Sequence, residues 1–126
     1  MGKQSGAGRL SDGQQKLLPL TPAVFFILFA LADGDKHGYA IMQQVVRLSD
    51  GQFQMGPGTL YTTIQRLLDL KLIEEILSAS EADTRRRYYR LRRAGKSVLD
   101  AELDRMHHIL KTASRMKFAT EGFGHT

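Results

Sequence analysis

The stretch MGPGTLYTTIQRLLDLKLIEE, residues 55–75, leaves the rest of the chain little freedom. Gly56, Pro57 and Gly58 interrupt whatever precedes them, and a helix accepts proline only in its first turn, so the spacing predicts a helix beginning near Pro57 or Thr59. Leu60, Ile64, Leu67, Leu68 and Lys71 then recur three and four apart, the repeat of one helical face. With each residue turned by about 100°, Thr59, Thr62, Gln65, Arg66 and Asp69 fall on the opposite side. Such a helix buries one stripe and turns outward a face of short polar groups and an arginine. Those side-chain types read base edges in a DNA major groove, and they are also what an ordinary solvated face carries.

The chain has enough material for one core: 126 residues, 42% of them hydrophobic and 8% aromatic. A formal net charge of +5 favours an anionic partner, either nucleic acid or an acidic membrane surface. With no cysteine, disulfides, thiolate zinc sites and cysteine nucleophiles are excluded, and a reducing compartment is allowed. Leu17 to Ala32 is mostly apolar, but it is shorter than the roughly 18–20 residues that cross a bilayer, and Pro19, Thr21 and Pro22 break its first third. The glycine-rich segment ahead of it lacks a small-residue cleavage pattern. The expectation is a cytoplasmic protein without membrane contact.

Residues 1–16 mix Gly, Ser and Gln with Lys3, Arg9 and Lys16, show no hydrophobic period, and are expected to form a flexible arm. Thr21 before Pro22 has the form of an N-cap followed by a first-turn proline. From Ala23 to Ala32 every residue is apolar, including Phe25, Phe26 and Phe29, and a helix apolar all round needs cover on more than one side. In so small a chain, part of that cover is expected from a second subunit. Asp33 to Lys36 reads as a turn, and a second helix runs from Gly38 to Arg47 with Tyr39, Met42 and Val46 inward and Ile41 and Val45 beside them. Ser49-Asp50-Gly51 ends it, and Gln52 to Met55 is either a brief strand or a loop. After the third helix, Leu72–Leu77 and Arg86–Leu91 are β-capable segments joined by a polar loop, Ser78–Thr84, and predict a hairpin. A long helix spans Ala94 to about Met116, in which Leu99, Leu103, Met106, Leu110 and Ala113 alternate four and three apart, the seam of two packed helices. Residues 117–126 lose the period and are expected to form a flexible tail.

Three helices followed by a hairpin is the order of a winged helix-turn-helix, an α+β, mostly helical fold. Residues 17–93 would form the DNA-binding domain and 94–116 a C-terminal dimerisation helix. Between Thr84 and Lys96 stand Arg85, Arg86, Arg87, Arg90, Arg92, Arg93 and Lys96 with no acid among them, suited to hold phosphates. Strand alternation sends Arg85 and Arg87 to one face and Arg86 to the other. Catalysis finds no support. His107 and His108 are adjacent and point to different sides of a helix, and Asp104 with His108 has the spacing of a surface ion pair rather than of a full metal site. Neither a Ser-His-Asp arrangement nor a glycine-rich phosphate loop with a following lysine is present. No enzyme activity, cofactor or metal is expected.

Three segments, LTPAVFFILFALADGDKHGYAIMQQV (20–45), GPGTLYTTIQRLLDLKLIEE (56–75) and RRRYYRLRRAGKSVLDAE (85–102), resemble the PadR family of bacterial transcriptional regulators in order and spacing, over about two thirds of the chain. The resemblance implies a homodimeric repressor on double-stranded DNA, with one third helix per half of an inverted-repeat operator and release by a small molecule or other signal. It implies DNA contacts at His37, Tyr39, Thr59, Tyr61, Thr62 and the wing arginines Arg85, Arg86 and Arg87, which Gln65 and Arg66 of the polar face would join. Tyr61 lies at the edge of the buried stripe and is expected to be a core residue whose hydroxyl reaches a phosphate. The expected dimer interface takes Phe25, Phe29, Leu99, Leu103, Met106, Leu110 and Ala113. A cavity for a small apolar or aromatic effector would be lined by Phe25, Phe26, Phe29 and Met106. The sequence departs from the family at Lys71, where Gly usually relieves a left-handed helix end, near Thr84, where Gly is usual, and at Arg92, where Thr usually caps the last helix. Two other readings stay open: a dimeric interaction module that does not bind DNA, and a repressor of another winged-helix family.

Overall fold

Ser11 caps the first helical turn among the described residues. The structure, a computed structural model, describes residues 10–77 and 86–116, so Arg85, the 78–84 loop, residues 1–9 and the 117–126 tail lie outside the described residues. Gln14 N–H donates to Ser11 Oγ (3.1 Å) and Ser11 N–H donates to Gln14 Oε1 (3.0 Å), a reciprocal cap for the short helix α1 (Asp12–Gln15). Leu10, Leu17, Leu18 and Leu20 pack against the core around it. Of the segment read as a flexible arm, residues 10–16 hold this capped turn with Leu10 against the core, and Leu17, Leu18 and Leu20 continue the contact toward α2 as a strap.

Helix α2 (Pro22–Ala30) opens as its sequence requires, with Val24 N–H donating to Thr21 Oγ1 at 3.3 Å and Pro22 in the first turn. Helix α3 (Gly38–Leu48) is capped by His37, whose Nδ1 accepts from Ala40 N–H at 3.2 Å. That start sets Gly38, Ile41 and Val45 inward and leaves Tyr39, expected on the inner face, 61% exposed. Residues 53–56 form a loop without strand pairing. Helix α4 (Pro57–Asp69) buries Leu60, Ile64 and Leu67. It ends where Lys71 takes φ 60°, with Leu72 N–H donating to Leu67 O and Lys71 N–H to Leu68 O, both at 3.0 Å. This is a Schellman end built on lysine rather than glycine, and Lys71 is exposed instead of continuing the buried stripe.

The hairpin consists of β2 (Ile73–Leu77) and β3 (Arg87–Leu91), paired antiparallel with Glu74 opposite Arg90 and Glu75 opposite Tyr89. A third strand, β1 (Lys36–His37), at the junction of what the sequence presented as a turn ending at Lys36 and the opening of the next helix, pairs with β3 through Lys36 opposite Tyr89 and His37 opposite Tyr88. The order is β1-β3-β2, so the wing is tied by its central strand to the residues that start α3.

Helix α5 (Arg93–Ser114) begins without a side-chain cap, as Arg92 in place of a hydroxyl implies. Its first turn lies directly on the wing, since a Cβ on Gly95 would stand 2.1 Å from the Leu72 carbonyl oxygen. Val98 and Leu99 enter the core, and Glu102, 1% exposed, accepts from Leu20 N–H (2.9 Å) and from Arg105 Nε (2.6 Å) and Nη2 (3.1 Å). The core itself, with Ile27, Leu28, Ile41, Leu60, Ile64, Leu67 and Val98 at 2% exposure or less, sits where α2, α3, α4 and the start of α5 meet.

Candidate nucleic-acid interface

Burying Leu60, Ile64 and Leu67 forces the other side of α4 into solvent. Thr59, Thr62, Gln65, Arg66 and Asp69 are all exposed, and Gln65 Nε2 donates to Asp69 Oδ1 at 3.0 Å. Tyr61 is 49% exposed and is not a core residue. Its ring lies across the start of α3, where a Cβ on Gly38 would come within 2.2 Å of the phenol oxygen and 2.8 Å of the carbon bearing it. Gly38 is what lets α4 and α3 approach this closely.

The hairpin closes the other side. His37, Tyr39, Tyr61, Arg86, Arg87 and Tyr89 line one open cleft of about 370 Å³, so residues far apart in sequence share a single surface. Tyr61, Thr62, Gln65, Arg66 and Asp69 line an adjoining hollow along α4. Thr59 stands exposed at the beginning of the same helix. Tyr89 is 4% exposed, and burial pushes its phenol above the ordinary value, so it stays neutral in the cleft wall. His37 lends Nδ1 to the α3 cap and sets its ring edge-on to Tyr88, with centroids 5.4 Å apart.

Folding changes the meaning of the basic run. No acid stands among its residues in sequence, yet the fold brings Glu75 within 3.3 Å of Arg87, Asp35 within 2.9 Å of Arg90, and Asp100 within 2.9 Å of Lys96. The Asp35 carboxylate holds the Arg90 guanidinium above its usual pKa. Arg86 and Arg87 border the cleft, whereas Arg90 is engaged elsewhere in the sheet.

A second surface lies on α5. Leu103, Met106, Ile109 and Leu110 are between 36% and 55% exposed, and Ala113 is partly so. Leu99 at 3% and Phe25 at 9% are instead buried within the chain's own core, which removes them from the expected interface. The periodic reading missed Ile109, although its place one turn beyond Met106 carries the signal. Phe25 packs on Phe26 (5.0 Å) and Phe29 (5.3 Å), and Phe53 stacks on Phe26 (5.5 Å), a partner the sequence reading did not anticipate. Among the described residues no helix is long and apolar enough to cross a membrane, and no group of three His, Cys, Asp or Glu side chains is placed to hold a metal ion.

Helices α2, α3 and α4, with an outward polar face on the last, and an arginine-bearing hairpin beside it define a winged helix-turn-helix protein. The profile of the transcriptional regulator PadR-like family matches residues 27–101, and the chain belongs to that family, whose members regulate transcription and are not enzymes. It is 33% identical over 73 residues to "Uncharacterized protein X" of Lysinibacillus sphaericus, an alignment covering 58% of this chain and 67% of that one. Among solved structures it is similar to a PadR family transcription regulator of Clostridium difficile R20291, with 28% identity, a TM-score of 0.65, and coverage of 76% of this chain and 98% of that one. It shares its fold with Bacillus subtilis PadR, solved in complex with operator DNA, at 21% identity, a TM-score of 0.59, and coverage of 68% of this chain and 47% of that one.

Proposed function

We propose that this regulator is a cytoplasmic homodimeric repressor that places one α4 in the major groove at each half of an inverted-repeat operator and lays its wings along the backbone. The observation that carries the reading is the joining of the polar face of α4 to Tyr39, Tyr61, Arg86 and Arg87 in one continuous surface. Thr59, Thr62, Gln65 and Arg66 read base edges, while His37, Tyr39, Tyr61 and the wing arginines Arg85, Arg86 and Arg87 position the backbone. The Bacillus subtilis protein of the same fold, crystallised on its operator, supports the same partner here.

Competition binding on a duplex carrying the region upstream of its own reading frame tests these roles. Thr62→Ala and Arg66→Ala should change which operator sequence is preferred. Arg86→Ala should weaken all sequences alike and reduce the slope of log affinity against log salt by about 0.9. Salt-insensitive binding, or one pattern for helix and wing variants alike, would overturn the assignment and favour an interaction module that does not use DNA. Release is proposed to come from a small apolar or aromatic effector held at the subunit boundary against Phe26, Phe29 and Met106. A compound that binds there raises the melting temperature and lowers operator affinity together.

A further inference from the structure

The wing arginines divide into two kinds, and Arg90 belongs to the second. We propose that Arg90 is a positioning residue that latches the wing to the start of α3, acting through Asp35 and Glu74 rather than through DNA. The inference rests on the proposed DNA-binding function and deepens it.

Register supplies the first argument. Glu74 of β2 stands directly opposite Arg90. On the other side, Lys36 is opposite Tyr89 and His37 opposite Tyr88, which places Asp35 on the next rung, also beside Arg90. The guanidinium thus sits between acids on both of its neighbours, bonding Asp35 through Nε (3.2 Å to Oδ1) and Nη2 (2.9 Å to Oδ2), with Glu74 at 4.0 Å from Nη1. Strand β1 has only two residues, so two backbone rungs join α3 to the wing, and the forked pair adds a third.

Position supplies the second. Arg86 lies four residues nearer the hairpin tip, about 13 Å along the strand, so Arg90 does not share its phosphate. The latch instead acts on the start of α3: from Asp35 the chain runs through Lys36 to the His37 cap and Gly38, on which Tyr61 of α4 rests. A wing held at Asp35 is held relative to the reading helix.

The test uses binding curves on the same upstream duplex over a range of salt. Removing an acid from a protein that meets a polyanion should tighten binding if charge alone matters. The latch requires the opposite: Asp35→Asn weakens binding roughly threefold, which is within what an exposed forked pair can transmit. Arg90→Lys, which keeps the charge and loses the fork, weakens it similarly, and Arg90→Ala does so with the salt slope unchanged. Exposed ion pairs add little to folding, so these variants remain folded, and Asp35→Asn also speeds hydrogen exchange at the β1–β3 rungs without DNA present. Tighter or unchanged binding by Asp35→Asn, a reduced slope for Arg90→Ala, or unaltered exchange overturns the latch while the DNA reading stands. A wild-type protein indifferent to the duplex at every salt concentration overturns the DNA reading itself, and the wild-type curve tells the two failures apart.

Discussion

Lys71 occupies a backbone conformation that suits a residue without a Cβ. At φ 60° a side chain crowds the following carbonyl, a strain of roughly 1 kcal/mol, and among the described residues the exposed ammonium has no ion-pair or hydrogen-bond partner to offset it. Lys71→Gly is therefore expected to raise stability by somewhat under 1 kcal/mol, since glycine also frees the unfolded chain, and to lift the melting temperature by about 3 °C in a calorimetric scan. Gly38 presents the reverse case. Alanine there meets the Tyr61 phenol oxygen at 2.2 Å and its ring carbon at 2.8 Å, and because Tyr61 is half in solvent it is the ring that moves, not the core. Gly38→Ala should melt close to the wild type yet bind operator several-fold more weakly. A loss of folding equal to the loss of binding would show that Gly38 supports the core instead of seating Tyr61.

At the scale of elements, one carboxylate fastens the strap ahead of α2 to α5. Burial alone would raise the Glu102 pKa, but the Arg105 hydrogen bonds outweigh it, with help from Leu20 N–H, and the group titrates below its ordinary 4.5. Between that lowered value and about pH 4.5 the unfolded chain binds a proton that the folded chain refuses, so stability is full above this window and is lost as pH falls through it. Glu102→Ala should cost on the order of 2 kcal/mol near neutral pH, held to that size because Arg105 is 37% exposed and rehydrates. Glu102→Gln, which keeps an acceptor for Leu20, should lose less and flatten the acid limb of a urea-denaturation series. None of this was legible in sequence, where Leu20 and Glu102 are 82 residues apart and Glu102 sits in a charged helix. What could be read were features with local causes: the Thr21-Pro22 start of α2, the stripe of α4 and the two strands of the hairpin. Strand β1 escaped because two residues carry no alternation, and the pairing of Arg87 and Arg90 escaped because Glu75 and Asp35 reach them only across the folded sheet.

At the scale of the whole molecule, the proposed dimer would take its seam from α5. Its first turns belong to the core through Val98, Leu99 and Glu102, but from Leu103 onward the apolar positions at 103, 106, 109, 110 and 113 form a stripe that the described residues leave partly open to solvent. A second copy offers the same stripe, and a twofold pairing of such stripes is self-complementary, which matches the symmetry of an inverted repeat. Leu110 is the residue on which to test this: at 49% exposed it contributes little to the fold of one chain, so its loss separates association from folding. Leu110→Asp should sediment as a folded monomer with an unchanged far-ultraviolet spectrum, and its operator affinity should fall about a hundredfold because each half-site is then held singly. The wild type should melt at a temperature that rises with protein concentration, whereas the variant should not. A wild type that sediments as a monomer, or a Leu110→Asp protein that stays dimeric, would remove α5 as the interface and with it the twofold match between protein and operator.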